Sequence, residues 1–258
     1  MRPPWIVAGV LSVVLSACTL NPTFTAPGSI ERQDARQLVL VLTDDWGSPA
    51  GVLTRFDHVE GVWQATGLST PVTVGRNGAA WGRGLHPSQA GPQKREGDGR
   101  APAGAFELGE AFGYGAAQST AMPYAAMTAS HYCIDVVDSP LYNRIVDATK
   151  VGAAAIEGST EPMRLDLHAD GDQRYKSGFV IRHNPDNLPG AGSCIFAHLW
   201  KTPDQSTAGC TAMEEMAMST LLAWLDPTQR PLFVLLPRAE YLRLRAAWHL
   251  PSIEAESR

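Results

Sequence analysis

Charged side chains are scarce, at 18% of 258 residues, where about a quarter is usual. That scarcity excludes a disordered polyelectrolyte. A formal net charge of −5 and a pI near 5.8 leave no basic footprint for a nucleic acid. Cysteines number four, and none forms a Cys-x-x-Cys pair, the strongest zinc-binding spacing. No internal repeat is visible. The apolar run from Trp5 to Leu15 is too short to span a bilayer comfortably as a mature helix. What is present suits a turn-rich β protein. Hydrophobic residues make up 44%, ample for a core, and 24 glycines and 19 prolines punctuate the chain. The length fits one large domain or two small ones.

The N-terminus reads as an export signal. Met1-Arg2 opens it, the apolar run follows, and Leu15-Ser16-Ala17-Cys18 closes it. That close resembles a bacterial lipobox, which implies cleavage after residue 17 and lipidation of Cys18. An ordinary signal peptide that happens to hold a cysteine is the alternative. Thr19, rather than Asp, after the cysteine implies the periplasmic face of the outer membrane if the source is Gram-negative. Residues 18–36, with Pro22, Pro27 and Gly28 and no apolar period, read as a tether. The remainder, 37–258, is expected to be the functional domain.

Short apolar segments bounded by turn signals recur along that domain. Leu38 to Leu42 reads as a core strand. Val52 to Phe56 and Val62 to Ala65 read as hairpin arms around Glu60-Gly61. Pro71 to Gly75, Tyr132 to Val137, Phe179 to Ile181, Cys194 to His198 and Pro231 to Leu236 complete the expected strands. Residues 113–127 read as loop, and 148–162 as a flexible stretch. Glu240 to His249 reads as a short amphipathic helix. A β-sandwich with short peripheral helices is the expected, mainly β architecture.

Chemistry concentrates near the C-terminal third. Ile195-Phe196-Ala197-His198 is a strand ending in a histidine, and eleven residues separate His198 from Cys210. Thr211 and Glu214 have capping-box spacing, and Met213, Met216, Ala217, Leu221, Trp224 and Leu225 recur at helical spacing. Cys210 is therefore expected at the positive end of a helix dipole, which favours thiolate. A neutral His198 would serve as its base. Gly209 permits a sharp turn whose N–H groups would line an oxyanion hole.

These residues resemble the active-site segment of L,D-transpeptidases, the YkuD-like family that crosslinks peptidoglycan through a cysteine acyl-enzyme. His198 matches the family's base and Gly209-Cys210 its Gly-Cys core. Ala208 and Ala212 depart from it, standing where the family has a second His and an Arg or Asn. Lys94 to Phe106 is similar to the Gly-rich segment that precedes a core strand in that family. The resemblance implies the same L,D-transpeptidase-like fold over residues 38–237.

On this reading Cys18 carries lipid and Cys210 stays free, which leaves Cys133 and Cys194 as the expected disulfide. A zinc site built from Cys194, His198, Cys210 and His183 is the metal alternative, and a merely buried Cys194 the plainest one. His183 is a candidate for the missing second His. Arg144 and Arg182 are candidates for holding a stem-peptide carboxylate by paired hydrogen bonds. The resulting expectation is a cofactor-free, metal-free cysteine acyltransferase of the cell envelope. It would act on peptidoglycan stem peptides and be tied to the membrane through lipid. A hydrolytic carboxypeptidase or amidase, or a non-catalytic peptidoglycan-binding lipoprotein, are its alternatives.

Overall fold

The computed structural model describes residues 1, 28–32 and 34–253. The expected export signal beyond Met1, and Cys18, lie outside the described residues. In chain order the strands are β1 (Gln37–Thr43), β2 (Ala50–Val59), β3 (Val62–Thr73), β4 (Ala79–Trp81), β5 (Ala101–Gly113), β6 (Tyr124–Ala126) and β7 (His131–Cys133). They continue as β8 (Ile145–Asp147), β9 (Glu161–Pro162), β10 (Ser177–Ile181), β11 (Phe196–Leu199), β12 (Thr211–Met213) and β13 (Leu232–Pro237). The helices are α1 (Ala148–Val151), α2 (Leu165–His168), α3 (Glu215–Trp224) and α4 (Arg238–Leu244).

The chain is mainly β, as expected, but the main sheet closes on itself into a barrel. Its order runs β10-β11-β12-β3-β2-β1-β13-β5, and β5 pairs back with β10. The cause lies in β5. Its 13 residues are enough to pair with β13 through Gly104–Glu107 and then with β10 through Leu108–Gly113. A register shift opposite Phe179–Ile181 supplies the bend that closure requires. One strand thus joins edges that a sandwich would leave on separate sheets.

The continuous apolar runs are explained by burial on both faces. β1 and β13 pair in parallel, every residue of both is buried, and α4 packs against them. Burying each large apolar side chain there stabilises the fold by roughly 1.5–3 kcal/mol. The Glu60-Gly61 hairpin forms as read. Both residues have positive φ, 50° and 85°, the geometry of the two-residue turn that matches strand twist.

Three expectations are corrected. The described part of the presumed tether is not a tether, because Ile30 and Ala35 join the main core. The Trp248 indole also donates to the Gly28 carbonyl at 2.9 Å. The stretch 148–162 is structured and carries α1 and β9, with Asp147 capping α1 through the Thr149 N–H. Finally, Thr211 does not cap a helix. Residues Thr211–Met213 form β12, paired with β11 on one side and β3 on the other. Helix α3 begins at Glu215, with Glu214 at the N-cap and no side-chain cap. Full burial of these three residues between two strands outweighs the local capping signal.

Strands β8, β7 and β9 form a second, three-stranded sheet. A disulfide, Cys133–Cys194, joins it to the barrel, so the expected pairing is the one present.

Candidate active site

Cys210 is the only free cysteine among the described residues. It immediately precedes β12. The register Ala197↔Thr211 and His198↔Ala212 sets Cys210 level with Phe196. The period-two pleat then puts Cys210 and His198 on one face of two adjacent strands. Tyr175 lies on that face too, its ring edge-on to Phe196 and, with centroids 5.1 Å apart, to His198.

His198 is buried. Its Nδ1 lies 2.7 Å from the Leu199 carbonyl. A carbonyl only accepts, so Nδ1 carries the proton and Nε2 keeps its lone pair. This is the tautomer a base needs, and a backbone carbonyl fixes it. Burial pulls the His198 pKa down to about 4, so the ring is neutral at physiological pH.

The sulfur's hydrogen bonds go to backbone. Sγ accepts from the Phe196 N–H at 3.3 Å and donates to the Cys194 carbonyl at 3.5 Å. Burial, reinforced by the charge of Glu161, pushes the Cys210 pKa up to about 12, against weaker opposing effects of the Phe196 N–H, Lys94 and Arg174. The expected thiolate at a helix mouth is therefore replaced by a neutral thiol at a strand start, because α3 begins five residues later. Gly209 also differs from expectation. Its N–H donates to the Thr207 hydroxyl at 3.1 Å, which removes that amide from the oxyanion hole. What requires glycine is space: a Cβ would lie 3.0 Å from the Arg100 carbonyl oxygen and 3.3 Å from Ile195.

Cys210 lines a cleft of about 220 Å³. Arg76 and Lys94 bring positive charge to its wall, and Glu96, Asp135 and Glu161 bring negative charge. Sequence reasoning missed these acids. Glu96 accepts hydrogen bonds from Tyr142 and from Ser193, the latter at 2.7 Å. Glu161 reaches the cleft because β9 pairs with β7, setting Glu161 opposite Cys133. Nothing in the local sequence around Glu161 announces that placement.

Three predicted binding residues lie elsewhere. His183, Arg182 and Arg144 line a separate cleft of about 420 Å³, which shares Cys194 and Ile195 with the first. His183 is structural: Nδ1 accepts from the Arg83 N–H at 3.2 Å and Nε2 donates to the Ala191 carbonyl at 2.9 Å. With both nitrogens engaged it cannot stand in for a second catalytic histidine. Burial lowers its pKa to about 4. Arg144 and Arg182 are both exposed on this second cleft. The zinc alternative fails on its donors, since Cys194 is bonded to Cys133 and His183 has no free nitrogen.

The connection between β10 and β11 is held by side chains the sequence did not single out. Asn184 is fully buried and bonds the Leu188 N–H and the Leu188 and Gly192 carbonyls. Asn143 accepts from the Cys194 N–H at 2.9 Å and donates to the carbonyls of His183 and Asn184. Cys194 is thereby held at φ 55°, a left-handed conformation costing a side-chain-bearing residue about 1–2 kcal/mol. That turn aims the Cys194 carbonyl at the Cys210 sulfur.

Comparison with family models, with curated proteins and with solved structures gives no match.

Proposed function

We propose that this chain is a cysteine acyltransferase of the L,D-transpeptidase type, acting on peptidoglycan stem peptides to crosslink or remodel the cell wall. The observation that carries the reading is the placement, on adjacent strands, of the free thiol and a neutral imidazole of the basic tautomer. The two sit on one face of neighbouring strands, and the thiol lines a cleft that carries charges of both signs. With both partners neutral at rest, no ion pair is preformed. His198 Nε2 takes the S–H proton as sulfur attacks the amide carbonyl, in general-base fashion. The amine departs, and a thioester remains on Cys210. An incoming amine resolves it by transpeptidation, and water would resolve it by hydrolysis. A cleft wall of mixed charge suits a donor carrying both ammonium and carboxylate groups.

The experiment is incubation with muropeptides, with products and protein adducts read by mass. The expected outcome is a Cys210 acyl adduct followed by crosslinked product. Cys210→Ala abolishes the adduct, and His198→Gln slows its formation by about 10²–10⁴-fold. Trimmed peptides without crosslinks would assign the hydrolase. Tight muropeptide binding without any adduct would instead assign the non-catalytic binder, which the buried neutral state of Cys210 favours.

The same proposal includes export and a lipid anchor on Cys18. Among the described residues no helix is long and apolar enough to cross a membrane. Mass spectrometry of the mature N-terminus is expected to find a diacylglyceryl-modified Cys18; an unmodified cysteine there would remove the anchor from the proposal.

A further inference from the structure

The thiol and His198 can complete acylation alone, the imidazole passing the sulfur's proton to the departing amine. One group must then act first as base and later as acid, and a second acid would let the two steps run together. When the amide C–N bond breaks, the departing nitrogen needs a proton, and the proton taken from sulfur sits on His198. Glu161 shares the cleft with Cys210. Its Oε1 accepts from the Tyr175 hydroxyl at 2.5 Å, and the ring of Tyr175 packs on His198. Acid, aromatic clamp and base therefore form one contiguous set around the sulfur.

We propose that Glu161 is a second acid–base residue of this site, donating a proton to the leaving amine and accepting one from the incoming amine. The inference rests on the acyltransferase reading above. In acylation, sulfur bonds to the carbonyl carbon, its proton goes to His198 Nε2, the C–N bond breaks, and the Glu161 carboxyl protonates the nitrogen. In deacylation, a neutral amine attacks the thioester and gives its proton to the Glu161 carboxylate. The C–S bond breaks, and sulfur recovers its proton from His198. Both groups end as they began.

The surroundings suit the role. Burial, helped by the charges of Asp135 and Glu96, raises the Glu161 pKa to about 7 against the opposing Tyr175 hydrogen bond and Arg174 charge. Arg76 and Lys94 complete the charged wall of the cleft. Tyr175 stays protonated, because burial and the Glu161 charge hold its pKa well above the usual phenol value. It therefore remains the donor. An ionised Glu161 opposes thiolate formation at Cys210. A protonated one does not, so the acid form serves acylation in both respects.

The test compares the full-length protein with Glu161→Gln and Tyr175→Phe, using a muropeptide tetrapeptide and the same peptide with its scissile amide replaced by a thioester. A thiolate leaves without a proton, so the ratio of amide to thioester acylation rates isolates the acid. Glu161→Gln is expected to lower that ratio at least about 100-fold, the low end of what general acids contribute. It should also abolish the fall in wild-type amide acylation as pH rises through about 7. Tyr175→Phe is expected to displace that limb without removing it. An unchanged ratio, or equal losses on both donors, would overturn the role of Glu161 while leaving the acyltransferase standing. Failure of the wild type to acylate on either donor would overturn both.

Discussion

Iodoacetamide applied to the folded protein at pH 8 is expected to label Cys210 at least about 100-fold more slowly than it labels the same cysteine in the unfolded chain. The thiolate is the reactive form. A thiol held at a pKa of about 12 has roughly a thousandth of the thiolate of an ordinary cysteine at that pH. Discounting an order of magnitude still leaves a large effect. Peptide mapping by mass follows the Cys210-containing fragment with time. Rapid labelling near pH 7 would mean that sulfur and imidazole form an ion pair at rest, and the general-base step would have to be rewritten. Slow labelling is compatible with catalysis, because a substrate carbonyl receives the developing charge as the proton moves to His198.

Removing the Cys133–Cys194 bridge is the second large effect. The cysteines are 61 residues apart in sequence, and chain-entropy reasoning for a loop of that size gives roughly 4 kcal/mol of stabilisation. The paired variant Cys133→Ser, Cys194→Ser is expected to lose about that much in urea unfolding. A loss below about 1 kcal/mol would show that the small sheet docks without it. The consequence for the site is specific. β7 carries Cys133, and its neighbour β9 carries Glu161. Cys194 presents its carbonyl to the sulfur. The bridge thus ties the strand pair bearing Glu161 to the turn whose carbonyl meets the Cys210 sulfur. Acylation is expected to fall further in this variant than its unfolded fraction accounts for.

Much of the barrel was legible locally. The runs Leu38–Leu42 and Leu232–Leu236 could only be buried strands, and Glu60-Gly61 could only be a tight turn between hairpin arms. His198 was recognisable as a strand-end histidine, and the disulfide partners were recognisable once the other two cysteines had roles. The helix start at Thr211 was misread for a physical reason. A capping box reports what a segment does beside solvent, and residues 211–213 are enclosed between two strands. That Arg144 and Arg182 line the adjoining cleft was not legible, because side-chain type reveals affinity for an anion but not which cleft the side chain enters.

By itself the sequence determined the strand-rich composition, the turn positions and the candidate thiol and imidazole, Cys210 and His198, since each depends on residue type and short-range order. The tertiary structure decided three things: closure of the sheet into a barrel, delivery of Glu161 to the sulfur, and the neutral resting state of both Cys210 and His198. These depend on which remote segments pack together. A group's ionisation follows from the solvent and charge it loses or gains on burial, and those neighbours lie tens of residues away along the chain.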